Sequence, residues 1–369
     1  MGGDDILKTK ILAIDIGAGT QDILLFDSSK KLENCIKLVL PSPSQTMSSR
    51  LLQMAENNRE VFIAGHTVGG GALAHALKDL AASHRIIMTP AAAYTVRNNL
   101  EDVIASGIEI REEAARSPGI PLISLDELNL APLELLFNSL NESVEEVSAG
   151  AVAVQDHGSY ESGRSNRKTR LSFMKKVLEG DPRPLALSYL DGDAPPLFPR
   201  MTSAASRMRE QLPGRPVVVM DTSPAAVAGC LSDKKVAEHA KGNLLLINAG
   251  NGHTLACILQ DRRIVALLEH HTRQLQPDSF AAYLEAFCDG KARDEDGFMA
   301  SGHGLFYLKR PPGMHGLDMI GITGPNREIL EGTGIDFYYP TPGGDMMMTG
   351  PMGLVEAAMH RIGTGRQEE

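Results

Sequence analysis

Cysteine is scarce in this chain: Cys35, Cys230, Cys257 and Cys288 are the only four among 369 residues. They stand far apart and form no C-x-x-C pair, so the spacing of a zinc ribbon or an iron–sulfur centre is missing. Reduced, buried thiols are the expectation. Long hydrophobic runs are missing too. No segment approaches the ~18 apolar residues of a membrane span, and MGGDDILKTK lacks the basic and apolar regions of a signal peptide. A cytoplasmic protein without a membrane partner is expected. Positive charge is in deficit, with 36 Lys and Arg against 46 Asp and Glu and a net charge of -10. Without a long basic run, a broad nucleic-acid footprint is excluded. No G-x-x-x-x-G-K-[ST] occurs, which excludes Walker-type nucleotide chemistry, and no H-x-x-x-H or H-E-x-x-H spacing occurs.

What remains is ordinary soluble composition, 43% hydrophobic and 22% charged, in a chain long enough for two or more domains. Short apolar strands recur between helical stretches. ILAIDIG, DILLFD and CIKLVLP read as three successive strands with tight links. EVFIAG, RIIMTP, AGAVAVQ, RPVVVMD, DMIGITGP and IDFYYP read as later strands, with a second hairpin at 243–268. Helices are expected over 44–58, GGGALAHALKDLAA, 96–106, a stretch ending near Glu146, 170–179, PAAVAGCL, 277–288 and 344–361. The polar stretch SYESGRSNRKTR reads as a loop. Alternation of this kind predicts an α/β protein, and the opening run of three strands predicts mixed sheets.

One element occurs twice. ILAIDIGAGTQDILLF (11–26) aligns with LLLINAGNGHTLACIL (244–259), so that Asp15 meets Asn248, Gly17 meets Gly250 and Gly19 meets Gly252. Glycines permit close backbone approach and positive φ. Successive amides in such a turn form an anion-binding concavity. A carboxylate at the strand end can hold a hydrated Mg²⁺ against phosphate oxygens. A single turn of this kind is more readily a plain β-hairpin. Its recurrence indicates two related lobes gripping a polyphosphate from both sides.

These hairpins resemble the phosphate 1 and phosphate 2 loops of the actin, Hsp70 and sugar-kinase superfamily. VVVMDTSPAAVAGCL resembles the segment entering that superfamily's second lobe. DMIGITGPNREIL is similar to its adenosine motif, and TPGGDMMMTGPMGLVEAAMH to its closing interlobe helix. The whole chain also resembles a prokaryotic family labelled as pyruvate formate-lyase activating enzymes. Radical activases hold an iron–sulfur centre on three clustered cysteines, and this sequence has no such cluster.

The resemblance implies a two-lobed actin-like ATPase fold with a ribonuclease H-like mixed sheet in each lobe. The first lobe would span 9–214, the second 215–343, and an interlobe helix and tail 344–369. ATP and Mg²⁺ are the implied cofactors. Asp15 would orient the metal. Gly17, Ala18, Gly19, Thr20 and Asp22 would line one jaw, and Asn248, Gly250, Asn251, Gly252, His253 and Thr254 the other. Gly324, Pro325 and Asn326 would lie near the base or ribose. Asn248 stands where many relatives have Asp, and an amide supplies neither charge nor base.

AGAVAVQDHG (149–158) resembles the strand end near a sugar-kinase active site. Gln155 could position water, and Asp156 or His157 could act as base. A capped turn leaving the strand is an equal reading. His66 precedes the glycine-rich TVGGG, a potential anion site. His157, His253 and His271 form a conceivable metal cluster, although polar cleft or surface roles fit such histidines more often. DMMMTG reads as helix packing. Three functional readings stand side by side. One is a small-molecule kinase or an ATP-dependent activator of a partner enzyme. Another is a nonhydrolysing nucleotide sensor or scaffold. An enzyme on this fold with a different cleft ligand is a third.

Overall fold

The computed structural model describes residues 9–159 and 166–363. The chain opens with a meander of β1 (Lys10–Ile16), β2 (Thr20–Asp27) and β3 (Ile36–Pro41). It then leaves this sheet for β4 (Glu60–Gly65), β5 (Arg85–Met88), β6 (Glu109–Ile110) and β7 (Leu122–Leu125). These four run parallel in a separate sheet of order β6-β5-β4-β7. The chain returns with β8 (Ala149–Val154), β9 (Ser188–Leu190) and β10 (Val217–Met220), completing the order β3-β2-β1-β8-β10-β9. A second meander follows: β11 (Asn243–Ala249), β12 (His253–Gln260), β13 (Arg263–His271) and β14 (Gly304–Tyr307). Finally β15 (Met319–Thr323) lies parallel to β11, giving β14-β13-β12-β11-β15.

Both large sheets therefore place a parallel strand beside the first strand of an antiparallel meander. β8 lies beside β1 and β15 beside β11. This is the ribonuclease H-like order in each lobe that the superfamily resemblance implies. The polar stretch expected as a loop falls partly outside the described residues, and so does the end of the C-terminal tail.

Three expectations change. The division at 214/215 does not separate the sheets, because Val217–Met220 pairs with β8 in the first one. Its four residues are wholly buried, as a central parallel strand requires. The parallel sheet of β4 to β7 has its own core around Leu51, Ile63, Leu77 and Ile86, so it is a unit inserted in the first lobe. IDFYYP contributes one bridge, Gly321 to Tyr338, rather than a strand. Pro340 follows directly and has no N–H to continue the pairing.

Alternate residues of β1 enter different cores. Leu12 and Ile14 pack on the outer side of the first sheet. Ile11 and Ala13 join a core shared with Leu246, Cys257 and Leu267 of the second. Between the sheets run helices Thr222–Cys230 and Thr349–Arg361. They cross at glycine. A Cβ on Gly229 would lie 1.7 Å from the Thr349 carbonyl oxygen, and one on Gly353 would lie 1.8 Å from that of Ala225. Among the described residues no helix is long and apolar enough to cross a membrane.

Candidate functional site

The two hairpins match at a constant offset of 233 residues: 10 to 243, 16 to 249, 20 to 253 and 27 to 260. The turns close alike, Gly17 N–H donating to Thr20 O at 2.9 Å and Gly250 N–H to His253 O at 3.0 Å. Both turns open on one cleft of about 1470 Å³ between the lobes. Their tips touch, since a Cβ on Gly19 would sit 2.3 Å from Asn251 Nδ2. None of the glycines 17, 19, 250 and 252 has positive φ, so close approach, not left-handed backbone, is what requires glycine at the tip. A Cβ on Gly252 would meet nothing within 4 Å, which leaves that amide open to a ligand.

Asp15 and Asp22 are cross-strand partners in the first hairpin. Each has a buried Oδ1 without a hydrogen-bond partner. Asp15 packs over the start of the interlobe helix, where a Cβ on Gly350 would lie 1.8 Å from its Oδ2. Burial holds the Asp15 carboxyl well above the usual range, helped by Asp22 and Asp221 and opposed by Arg200. Burial likewise raises Asp22 to about 7, against the hydrogen bond from Thr20 Oγ1. A half-buried and a buried carboxylate, each with a buried Oδ1 that has no partner, are the donor set a hard divalent cation takes.

The strand end after β8 combines two roles. Gln155 faces the cleft, with Oε1 2.7 Å from His253 Nδ1 and Nε2 donating to Glu269 Oε1 at 3.3 Å. Asp156 is different. Its Oδ1 accepts from Gly158 N–H at 2.9 Å and Asn98 Nδ2 at 3.2 Å. Its Oδ2 accepts from the N–H groups of Arg200 at 2.7 Å and Met201 at 3.1 Å. Four donors occupy its lone pairs, and Asp156 caps the helix Pro199–Gln211, the geometry of the capped turn.

In the second lobe Asn248, Gly250, Asn251, Gly252 and His253 line the cleft, as do Gly324, Pro325 and Asn326. Asn326 ties the two loops together, donating from Nδ2 to Gly250 O at 3.0 Å. Gly324 has φ 96° and packs on Asn248 Oδ1 and the Ala249 carbonyl. Thr254 departs from expectation: it is fully buried, and its hydroxyl bonds Thr272 Oγ1 at 2.9 Å. Strand alternation turns it away from the ligand side. Ala18, Gly17 and Thr20 line the first jaw.

Some of the cleft was not legible in the sequence. Arg200 donates to Glu127 at 3.0 and 2.9 Å and to Gln155 O at 3.0 Å. Arg170 is buried between Asp221, 2.7 Å away, and Glu269. These partners are 45 to 99 residues apart, so no local pattern announces them. The histidine cluster also differs from expectation. Nitrogens of His157, His253 and His303 all lie within 4.8 Å of one another. His303 thus takes the place given to His271, whose ring packs 4.5 Å from that of His303. His66 does not line the cleft, although Thr67 to Ala72 do.

Two ribonuclease H-like lobes with paired hairpin turns around one cleft define the actin-like ATPase fold. The chain belongs to the family whose model is described as "Putative pyruvate format-lyase activating enzyme (DUF1786)", which matches residues 68–329. No curated protein matches the chain. Similar solved structures include the inorganic polyphosphate/ATP-glucomannokinase of Arthrobacter sp. strain KM, at 13% identity over 95% of this chain and 99% of that one, with a TM-score of 0.37. A Bacteroides thetaiotaomicron protein with an actin-like ATPase fold and unknown function is 10% identical over 95% and 98%, at 0.37. A chain of the PilM–PilN type IV pilus complex is 12% identical over 93% and 97%, at 0.38. At these scores the likenesses say nothing of chemistry, and the fold rests on the strand order. All four cysteines are buried and free. Burial pushes the thiols of Cys230 and Cys257 up, and that of Cys288 up to about 12. Thiols of that kind are poor metal ligands.

Proposed function

We propose that this protein binds a nucleoside triphosphate with Mg²⁺ between its lobes and uses it in phosphoryl transfer to a small acceptor or in hydrolysis that drives a partner enzyme. One observation carries the reading: two hairpins of equal length meet tip to tip across a cleft, beside a pair of carboxylates each with a buried oxygen that has no partner. Gly17, Ala18, Gly19 and Thr20 would cradle phosphates from one side, and Gly250, Asn251 and Gly252 from the other, through backbone amides. Gly324, Pro325 and Asn326 would flank the nucleoside. Asp15 and Asp22 would hold the cation, which neutralises and orients phosphate oxygens when bound. Gln155 faces the same space and would orient a water or acceptor hydroxyl.

A nonhydrolysing nucleotide sensor is the second reading. Asn248 brings no charge to the second jaw, and Asp156 has no lone pair free to act as base. Calorimetry with ATP, ADP and GTP, with and without Mg²⁺, tests both readings. Wild type should release heat with ATP and Mg²⁺, and Asp15→Ala should lose the Mg²⁺ dependence. No heat with any nucleotide would sink the nucleotide reading. Binding without phosphate release, whatever metabolite is added, selects the sensor.

A further inference from the structure

Four histidines converge where strands of the two lobes end. His253 opens β12 and pairs with His271 at the end of β13. His303 precedes β14, and its N–H donates to Glu269 O at 3.0 Å. His157 arrives from the other lobe, just beyond β8. Ring centroids are 4.5 Å apart for His253 and His303, and 5.0 Å from His157 to each of them. Imidazoles gathered this closely repel one another once charged, and each must otherwise find hydrogen bonds. His303 finds none: it is 5% exposed, and neither ring nitrogen has a hydrogen-bond partner.

We infer that His157, His253 and His303 form a lobe-bridging site for a divalent ion of the zinc class, with a fourth position open to the cleft for water or an anionic oxygen. Three imidazoles are the ligand type that zinc and its neighbours prefer. Three protein ligands with one open position are the pattern of reactive rather than purely structural zinc. The surroundings set the tautomers. Gln155 Oε1 sits 2.7 Å from His253 Nδ1, and a proton held there would direct Nε2 to the metal. Glu269 Oε2 lies 3.5 Å from His303 Nδ1 without a hydrogen bond, and ring rotation would bring the pair into the carboxylate–histidine arrangement that commonly supports a metal-bound ring. Glu269 is itself anchored by Arg170 and Gln155.

Zn–N bonds of about 2.0–2.1 Å in a tetrahedron bring ligand nitrogens to roughly 3.3 Å. The present spread of up to 4.8 Å closes through ring rotation and a small approach of the lobes. Because His157 belongs to one lobe and the other two to the second, the ion would clasp the cleft. The site is distinct from the carboxylate pair and does not rest on the nucleotide reading.

Cobalt tests it. Full-length protein, stripped with chelator and held in excess Mg²⁺ to saturate the carboxylates, is titrated with Co²⁺ without nucleotide. The expected result is a visible absorption band of four- or five-coordinate cobalt, complete at one equivalent and bleached by Zn²⁺. His303→Ala should weaken Co²⁺ binding by more than the roughly 10–100-fold expected on removing the supporting Gln155. His315→Ala, at an exposed histidine, should change nothing. If circular dichroism shows His303→Ala unfolded, His157→Ala on the cleft wall decides instead. No band in wild type, or equal affinity in wild type and the folded ligand variant, overturns the proposal.

Discussion

His253 of the second sheet and Gln155 of the first lie 2.7 Å apart across the cleft, Nδ1 to Oε1. The amide continues to Glu269 at 3.3 Å, so one side chain links a histidine and a buried carboxylate of the opposite lobe. Gln155→Ala removes one hydrogen bond from each partner, while Arg170 still holds Glu269. A loss of about 0.5–1.5 kcal/mol in folding stability is expected for the lost hydrogen bonding, read as a lower urea midpoint at unchanged slope.

Asp22 is held at a pKa of about 7 by burial, beside Asp15. In chelator, Asp22→Asn should raise the melting temperature by a few degrees, since it replaces a disfavoured carboxylate by a neutral isostere. The same variant should lose most of any Mg²⁺-induced rise seen in wild type. Calorimetric melting with and without Mg²⁺ measures both, and a variant that melts lower in chelator contradicts the expectation.

Glycines of the site separate by what surrounds them. Gly353→Ala drives a methyl into the Ala225 carbonyl and should destabilise by about 1–3 kcal/mol or more, through overpacking. Gly252→Ala enters open space and should melt like wild type. Nucleotide affinity should nonetheless fall if the turn cradles phosphate as proposed, because the methyl would enter the space beside its amides. Thermal melts and ATP calorimetry on the pair check the contrast.

Lys10 and Lys30 bond Glu142 at 2.8 and 2.5 Å, and these hydrogen bonds hold its carboxyl below the usual range. A depressed carboxyl contributes stability above its unfolded value, and that contribution fades as pH falls through the folded one. Wild type should therefore lose its advantage over Glu142→Gln below about pH 4.3, in denaturation curves taken from pH 7 to 3.

How much of this could be read beforehand follows from distance along the chain. The hairpins were legible because strand, turn and strand are contiguous, and apolar runs interrupted by Asp15 or Asn248 have few other uses. The separate sheet of β4 to β7 was not, since a parallel strand carries the same apolar run whichever sheet it joins. Val217–Met220 was placed with the wrong sheet for that reason. Asp156 was ambiguous until its four donors were visible, three of them from residues 98, 200 and 201. His303 enters the imidazole cluster only through the pairing of β13 with β14, which sequence spacing does not encode.

The constant offset between the hairpins has an evolutionary consequence. Side chains along a strand alternate in direction, so one inserted residue would exchange Asp15 with Ile14, or Asn248 with Ile247, between ligand and core. Substitution can therefore accumulate in these segments while length cannot. Among descendants of this chain, insertions should gather in the segment between the two hairpins and spare both turns.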